Sequence, residues 1–266
     1  NRLKVWKIKM EKKIVLLIHG FGSNNRVWDA YKDFFSKNNF CVVAPNLRHH
    51  GPGDNLDGFE NVSLLDYVND LEILIKDLRF QPIIVGYSMG GLLALKLMER
   101  GYGKLGICLA PAAPRGVNAI SISVLRIFLR NLLVWRFWKK VHKPRFSSAR
   151  SGALSHLPRA EAMEIFELTS SAESGRVGFE IGFPFFDPLK VSSFDEKKVK
   201  CPVLVIGAQC DKVTPIGIAR SVARKIAHVS DYIEYPNFGH WLMSGPEFDK
   251  VSSDCLKWIT SKLDKS

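Results

Sequence analysis

Pro82-Ile83-Ile84-Val85-Gly86-Tyr87-Ser88-Met89-Gly90-Gly91-Leu92-Leu93-Ala94-Leu95-Lys96-Leu97-Met98 carries three signals in one run. An apolar stretch comes first, a Gly-x-Ser-x-Gly turn follows, and an apolar helical pattern starts at once. This is the signature of a buried strand, a sharp turn and a helix. In that setting Gly86 to Gly90 reads as a nucleophile elbow, a turn that holds the Ser88 hydroxyl clear of the backbone at a strand end. Glycines at 86 and 90 leave room for close packing, because a side chain at either position would collide with neighbouring backbone. Glycine makes up about 7% of residues in general, so the pentapeptide alone is a weak signal. Its strand and helix make it a strong one.

A nucleophilic serine needs a base, a residue to orient that base, and donors for an oxyanion. Asp211 follows the apolar run Val203-Leu204-Val205-Ile206-Gly207, just past a strand end. His240 lies in Asn237-Phe238-Gly239-His240-Trp241, after the short strand Tyr232-Ile233-Glu234-Tyr235. Both belong to loops at the carboxyl edge of a sheet, the edge at which Ser88 emerges. Asp211 alone reads equally well as a turn residue before the helix that opens at Thr214-Pro215. His19-Gly20-Phe21-Gly22 follows the strand Ile14-Val15-Leu16-Leu17-Ile18. It offers the backbone N–H of Phe21, to pair with that of Met89, as oxyanion donors.

The remainder of the chain alternates strands and helices. Strands are predicted at Ile14–His19, Phe40–Pro45, Ile83–Tyr87, Leu105–Ala110, Val203–Gly207 and Tyr232–Tyr235, with an antiparallel edge strand at Leu3–Met10. Helices are predicted near Arg26–Lys37, Leu64–Leu78, Gly91–Arg100, Ile216–Ile226 and Pro246–Lys262. This rhythm predicts an α/β fold, a mostly parallel sheet flanked by helices on both faces. It stops at Pro111-Ala112-Ala113-Pro114 and resumes near Val199, leaving about eighty residues of helical periodicity without a strong strand.

Together these residues resemble the α/β-hydrolase superfamily, of the capped serine esterase/lipase type. The likeness runs through His19-Gly20, Trp28, Asn46-Leu47-Arg48-His49-His50-Gly51, Gly86 to Gly91, Asp211 and Gly239-His240. It implies Ser88 as nucleophile, His240 as general base and then acid, and Asp211 as its orienting carboxylate. It also implies that residues 1–114 and 196–266 form the hydrolase core and that 115–195 are a helical cap, or lid, over the site. Relatives commonly read Asp-x-Arg-Gly-His-Gly where this chain has Asn46 and His49 in place of Asp and Gly. Serine at 88 argues against the dehalogenase and epoxide-hydrolase branches, which use aspartate, and against the cysteine-dependent dienelactone branch.

The expected activity is hydrolysis of short- to medium-chain acyl esters, with no cofactor required and no metal. The same triad serves thioesterases, monoacylglycerol-type lipases, C–C hydrolases, lactonases, cofactor-free haloperoxidases or perhydrolases, and acyltransferases, and Met89 after the serine also occurs in the haloperoxidase-like branch. A non-catalytic acyl- or lipid-binding protein on the same scaffold is the reading from a different class. The substrate pocket is expected to be apolar, lined by Gly20, Trp28, Tyr87, Phe128, Trp135 and Trp241, with Phe183, Phe185 and Phe186 as further candidates.

The chain has 266 residues, 46% of them hydrophobic, and a formal net charge of +12. That length buries a large core in one domain with room for an insertion. No run of 18 uncharged apolar residues occurs, so no membrane span is expected. The opening Asn1-Arg2-Leu3-Lys4 lacks the apolar core of a signal peptide. Five cysteines, at 41, 108, 201, 210 and 255, are scattered and odd in number. That favours free thiols and a reducing, cytoplasmic location. Glutamine occurs only at 81 and 209, a weak pointer to a thermophilic source.

The charge is concentrated. Arg115, Arg126, Arg130, Arg136, Lys139, Lys140, Lys143, Arg145, Arg150 and Arg159 fall in one span without a single Asp or Glu. Apolar residues interleave at helical spacing. Three readings stay open. The run is a solvated basic face, or it meets an anionic membrane surface as a peripheral contact. Alternatively, Arg126, Arg130, Arg136, Lys139 and Lys140 grip an anionic ligand, such as a coenzyme A-type acyl carrier. No other feature suggests a nucleic-acid partner.

Overall fold

The computed structural model describes residues 14–118 and 133–264. Its strands, in chain order, are β1 (Ile14–Ile18), β2 (Cys41–Val43), β3 (Ile83–Tyr87), β4 (Leu105–Leu109), β5 (Val141–His142), β6 (Glu173–Ser174), β7 (Val203–Ala208) and β8 (Ser230–Tyr235). Six of them form one sheet in the order β2-β1-β3-β4-β7-β8, every neighbouring pair parallel. β1, β3, β4 and β7 are buried at every residue. This explains their unbroken apolar sequences, because a parallel sheet is covered on both faces.

The covering helices are α1 (Asp29–Lys37), α2 (Leu64–Leu78), α3 (Met89–Glu99), α4 (Phe146–Ser151), α5 (Arg159–Thr169), α6 (Gly175–Gly182), α7 (Ile216–Lys225) and α8 (Gly245–Leu263). On one face, α2, α3 and α7 pack through residues such as Leu71, Leu92 and Val222. On the other, α1 and α8 pack through Tyr31, Phe35, Val251 and Ile259. Burial of these side chains, worth roughly 1.5–3 kcal/mol apiece, holds the layers together. Ser63 caps α2 in a reciprocal capping box with Asp66.

The helix predicted from Gly91 begins two residues earlier, at Met89, so the turn after Ser88 leads straight into α3. The helix predicted over Arg26–Lys37 is a 3-10 turn, Asn25–Trp28, followed by α1. The edge strand predicted at Leu3–Met10 lies outside the described residues. Among the described residues, no helix is long and apolar enough to cross a membrane.

The register fixes where the loops emerge. Ile18 pairs with Gly86, so β1 and β3 end level with each other. Strand order reverses between these two strands, and ligands of open parallel sheets bind at that reversal, outside the carboxyl ends. The loop after β1 and the turn after β3 therefore flank the crevice.

Between β4 and β7 the described chain contains α4, α5, α6 and the antiparallel β5–β6 ladder. Its contacts with the sheet domain are specific. Asn24 N–H donates to the Thr169 carbonyl at 2.9 Å, and Ser171 N–H to the Gly22 carbonyl at 3.0 Å. The α6 residue Glu180 accepts from Leu64 N–H at 2.8 Å and Ser63 Oγ at 3.0 Å, at the start of α2. The insertion is thus stitched to the loop after β1 and to an orphaned helix N-terminus of the sheet domain.

Candidate active site

Ser88 sits between β3 and α3 with φ 55° and ψ −118°, a backbone region that non-glycine residues rarely occupy. Three backbone bonds hold it there. Its N–H donates to the Leu109 carbonyl at 2.9 Å, and its carbonyl accepts from Gly91 N–H at 2.9 Å and Ala112 N–H at 2.8 Å. A Cβ on Gly86 would overlap the Gly90 carbonyl, and one on Gly90 would overlap the Ile18 carbonyl. These two glycines therefore allow the strand, turn and helix to meet at all.

His240 and Asp211 come from the loops after β8 and β7. His240 Nδ1 lies 2.7 Å from Asp211 Oδ2, both side chains buried. Asp211 Oδ1 accepts from Val213 N–H at 2.7 Å and Thr214 N–H at 2.8 Å. The Thr214 hydroxyl lies 2.8 Å from Asp211 Oδ2 and 3.1 Å from the Ala110 carbonyl. Asp211 is thus a turn residue and the imidazole's partner at once. With Nδ1–H donating to the carboxylate, Nε2 is left as the basic nitrogen. Tyr87 backs the ring at 5.0 Å between centroids, and its hydroxyl donates to the His240 carbonyl at 3.1 Å.

Ser88 and His240 line one cavity of about 190 Å³, together with Gly20, Phe21, Tyr87 and Trp241. Among the described residues the Ser88 hydroxyl has no hydrogen bond to the imidazole. Such contacts commonly tighten only when substrate binds. Gly20 lies against Ser88 closely enough that a Cβ there would stand 3.1 Å from the serine Cβ. Phe21 is on the wall beside it, and Met89 opens α3 immediately after the serine.

Other sequence-predicted residues lie elsewhere. Trp28 is fully buried and off the cavity wall, packed edge-on against Tyr31 at 5.2 Å and Tyr87 at 6.4 Å. It supports the wall from behind. Trp135 is 82% exposed, because Phe137 takes the inward position of that turn beside Phe179 and Phe183. Phe185 and Phe186 are exposed too. Arg136, Lys139 and Lys140 are exposed and do not line the cavity. Phe128, Arg126 and Arg130 lie outside the described residues. The cations on the wall are Lys143 and Arg145.

A buried network on the same wall carried no signal in the sequence. Glu173, in β6, is 1% exposed. It accepts from Gly22 N–H at 3.0 Å, Tyr67 Oη at 2.7 Å, its neighbour Ser174 N–H at 3.0 Å and His50 Nε2 at 3.1 Å. His50 also donates from Nδ1 to the Arg48 carbonyl at 2.9 Å, so both its nitrogens act as donors. Burial alone would lower its pKa, but the charge and hydrogen bond of Glu173 raise it. His19, with its ring 5.0 Å away, goes the other way. Burial, and then the charge of His50, bring its pKa down to about 3. Its contacts fit the neutral ring, with Nδ1 donating to the Gly20 carbonyl and Nε2 accepting from Leu47 N–H, each at 3.0 Å. His49 takes φ 63°, which accounts for the glycine that the resemblance places there. Among the described residues, no group of His, Cys, Asp or Glu is arranged to hold a metal ion.

The sequence profile described as the alpha/beta hydrolase family matches residues 15–248. The chain belongs to the α/β hydrolase family. Among curated sequences, this family member is 26% identical to BpoC of Mycobacterium tuberculosis over 266 residues, covering 93% of this chain and 94% of that one. It is 24% identical to the "Bifunctional esterase/perhydrolase DCH" of Acinetobacter calcoaceticus, covering 93% and 92%. Among solved structures, the Paleococcus ferrophilus monoacylglycerol lipase superposes with a TM-score of 0.71 at 19% identity, covering 94% and 95% of the two chains. The Exiguobacterium antarcticum esterase EaEST gives 0.72 at 17% identity, covering 93% and 92%. The fold is therefore that of the α/β hydrolases.

Proposed function

We propose that this α/β hydrolase is a serine carboxylic-ester hydrolase working through Ser88, His240 and Asp211. The observation that carries the reading is the 2.7 Å Asp211–His240 hydrogen bond behind a cavity that Ser88, on its strained turn, also lines. His240 Nε2 takes the Ser88 proton as Oγ attacks the ester carbonyl carbon. The carbonyl oxygen becomes an oxyanion, met by the N–H groups of Phe21 and Met89. Such a preorganised donor is worth about 2.7–4 kcal/mol. Collapse of the tetrahedral adduct breaks the ester C–O bond, and the alcohol leaves with the proton from His240. Water, deprotonated by the same imidazole, then attacks the acyl-enzyme and returns Ser88 and the free acid. Asp211 keeps the useful tautomer and stabilises the cation.

Residues 115–195 serve as the cap in this reading. α4 and α5 contribute Ala149 and Phe166 to the cavity wall. About 190 Å³ is small beside the roughly 300–1,000 Å³ of drug-sized sites, which favours short acyl chains. The chemistry calls for no cofactor. All five cysteines are free, which supports a reducing, cytoplasmic setting.

The esterase/perhydrolase relative favours one second reading. Hydrogen peroxide in place of water would attack the same acyl-enzyme and release a peracid. Ser88→Ala tests the common step. The variant should stay folded and lose hydrolysis of p-nitrophenyl butyrate by at least a thousandfold. Turnover at the wild-type rate would remove the assignment.

A further inference from the structure

We propose that the cavity recognises an ester carrying an anionic group, carboxylate or phosphate, with Lys143 and Arg145 as its specificity-determining contacts. The proposal rests on the serine-esterase reading and adds the substrate's charge to it.

The argument begins with the basic run from 115 to 159. Eight of its ten cations lie in described residues. Three serve the fold. Arg115 donates to the Pro184 carbonyl and lies over the Phe185 ring at 5.3 Å. Arg150 donates to the Ser155 carbonyl at 2.6 Å and the Leu154 carbonyl at 3.3 Å. Arg159 covers the Phe146 ring at 5.6 Å. The other five, Arg136, Lys139, Lys140, Lys143 and Arg145, form no ion pair among the described residues. Only Lys143 and Arg145 of these stand on the wall of the cavity that holds Ser88 and His240.

The rest of that wall supplies no answering charge. Its one carboxylate is Glu173, which is occupied by His50, Tyr67 and two backbone N–H groups. The remainder is apolar, for example Phe21, Ala153, Leu154 and Trp241, or neutral and polar. His142, beside Lys143, already holds the Phe137 carbonyl with Nε2 at 2.8 Å. Two unopposed cations on an apolar wall favour a substrate with an acyl body and an anionic end. Lysine supplies a point charge and arginine a fork that fits carboxylate or phosphate. Pro144 separates the two and limits the backbone between them, so they are presented from a stiffened segment.

The test uses matched ester pairs on purified full chain. One pair puts the charge on the acyl side, p-nitrophenyl butyrate against the mono-p-nitrophenyl ester of glutaric acid. The other puts it on the alcohol side, butyrylglycerol against butyrylglycerol 3-phosphate. The readout is the ratio of kcat/KM, charged over neutral. In Lys143→Ala/Arg145→Ala that ratio should fall about tenfold for at least one pair, the size expected of two solvent-exposed charge contacts. In Lys143→Glu/Arg145→Glu it should fall further. Raising salt should shrink the wild-type ratio. The pair that responds identifies the side of the ester that carries the anion. Unchanged ratios in both pairs, with neutral-ester turnover still dependent on Ser88, would overturn the proposal and leave the esterase reading standing. Neutral-ester turnover that survives Ser88→Ala would instead remove that reading.

Discussion

Thr214 shows how much of the candidate site depends on a side chain beyond the proposed triad. Its hydroxyl and N–H both meet Asp211, and the hydroxyl is 3.3 Å from His240 Nδ1. Thr214→Val keeps the shape and deletes the hydroxyl, leaving Asp211 Oδ2 one donor short. A hydrogen bond to a charged group contributes about 1.5–3 kcal/mol. We expect kcat to fall about tenfold or more with little change in KM, and unchanged kcat would show that Asp211 is held without it. Ser88 and Asp211 stood out in the sequence as candidates because each lies just past an apolar strand, and His240 because it lies in the loop after β8 at the same edge of the sheet. Sequence hid Thr214 because threonine before proline reads as the opening of a helix. Trp28 misled for a related reason. A large aromatic near a glycine loop suggests a pocket wall, yet its ring turned inward to back Tyr87.

β1, β3, β4 and β7 were readable because burial on both faces leaves unbroken apolar runs, and the helices beside them because an apolar face repeats at helical spacing. The insertion was readable only as an interruption. Its helical periodicity was visible but not divided into elements, its two-residue strands are too short to show a pattern, and its anchors are single polar residues. Glu173 is the main one, joining β6 to the loops after β1 and β2 and to α2. Glu173→Gln keeps the volume and removes the charge that answers His50. Breaking a buried pair from one side costs about 3–5 kcal/mol. Urea unfolding should show a loss of roughly 3 kcal/mol. Because Gly22 follows Phe21 in the proposed oxyanion loop, kcat should also fall below the unfolding transition. Wild-type values for both would mean that the insertion is held without the charge of Glu173, by Glu180 and its backbone contacts.

Two buried histidines give the molecule a predictable response to acid and base. His19 has a folded pKa near 3 against an ordinary 6.5. The unfolded chain binds that proton first, so stability falls as pH drops from about 6.5 towards 3. His50 is shifted upward by Glu173, so its contribution is complete below the ordinary histidine pKa and is lost as pH rises through the folded value. These two residues together place a stability maximum near pH 6.5. Urea unfolding of His19→Gln from pH 6 to 4 should show a pH slope shallower than wild type by about 1.4 kcal/mol per unit, one proton's worth. Parallel curves would contradict a neutral, buried His19. Neither shift could be read from sequence, since His19's comes first from its burial and then from the charge of His50, and His50's from Glu173, more than a hundred residues away in the chain.

The most direct measurement is covalent labelling of the nucleophile. Incubation with a fluorophosphonate, followed by peptide mass mapping, should place one adduct on Ser88. The labelling rate should drop by at least a hundredfold in His240→Gln, because in the proposed mechanism the imidazole removes the serine proton. An adduct on another residue, or an undiminished rate in His240→Gln, would contradict the triad.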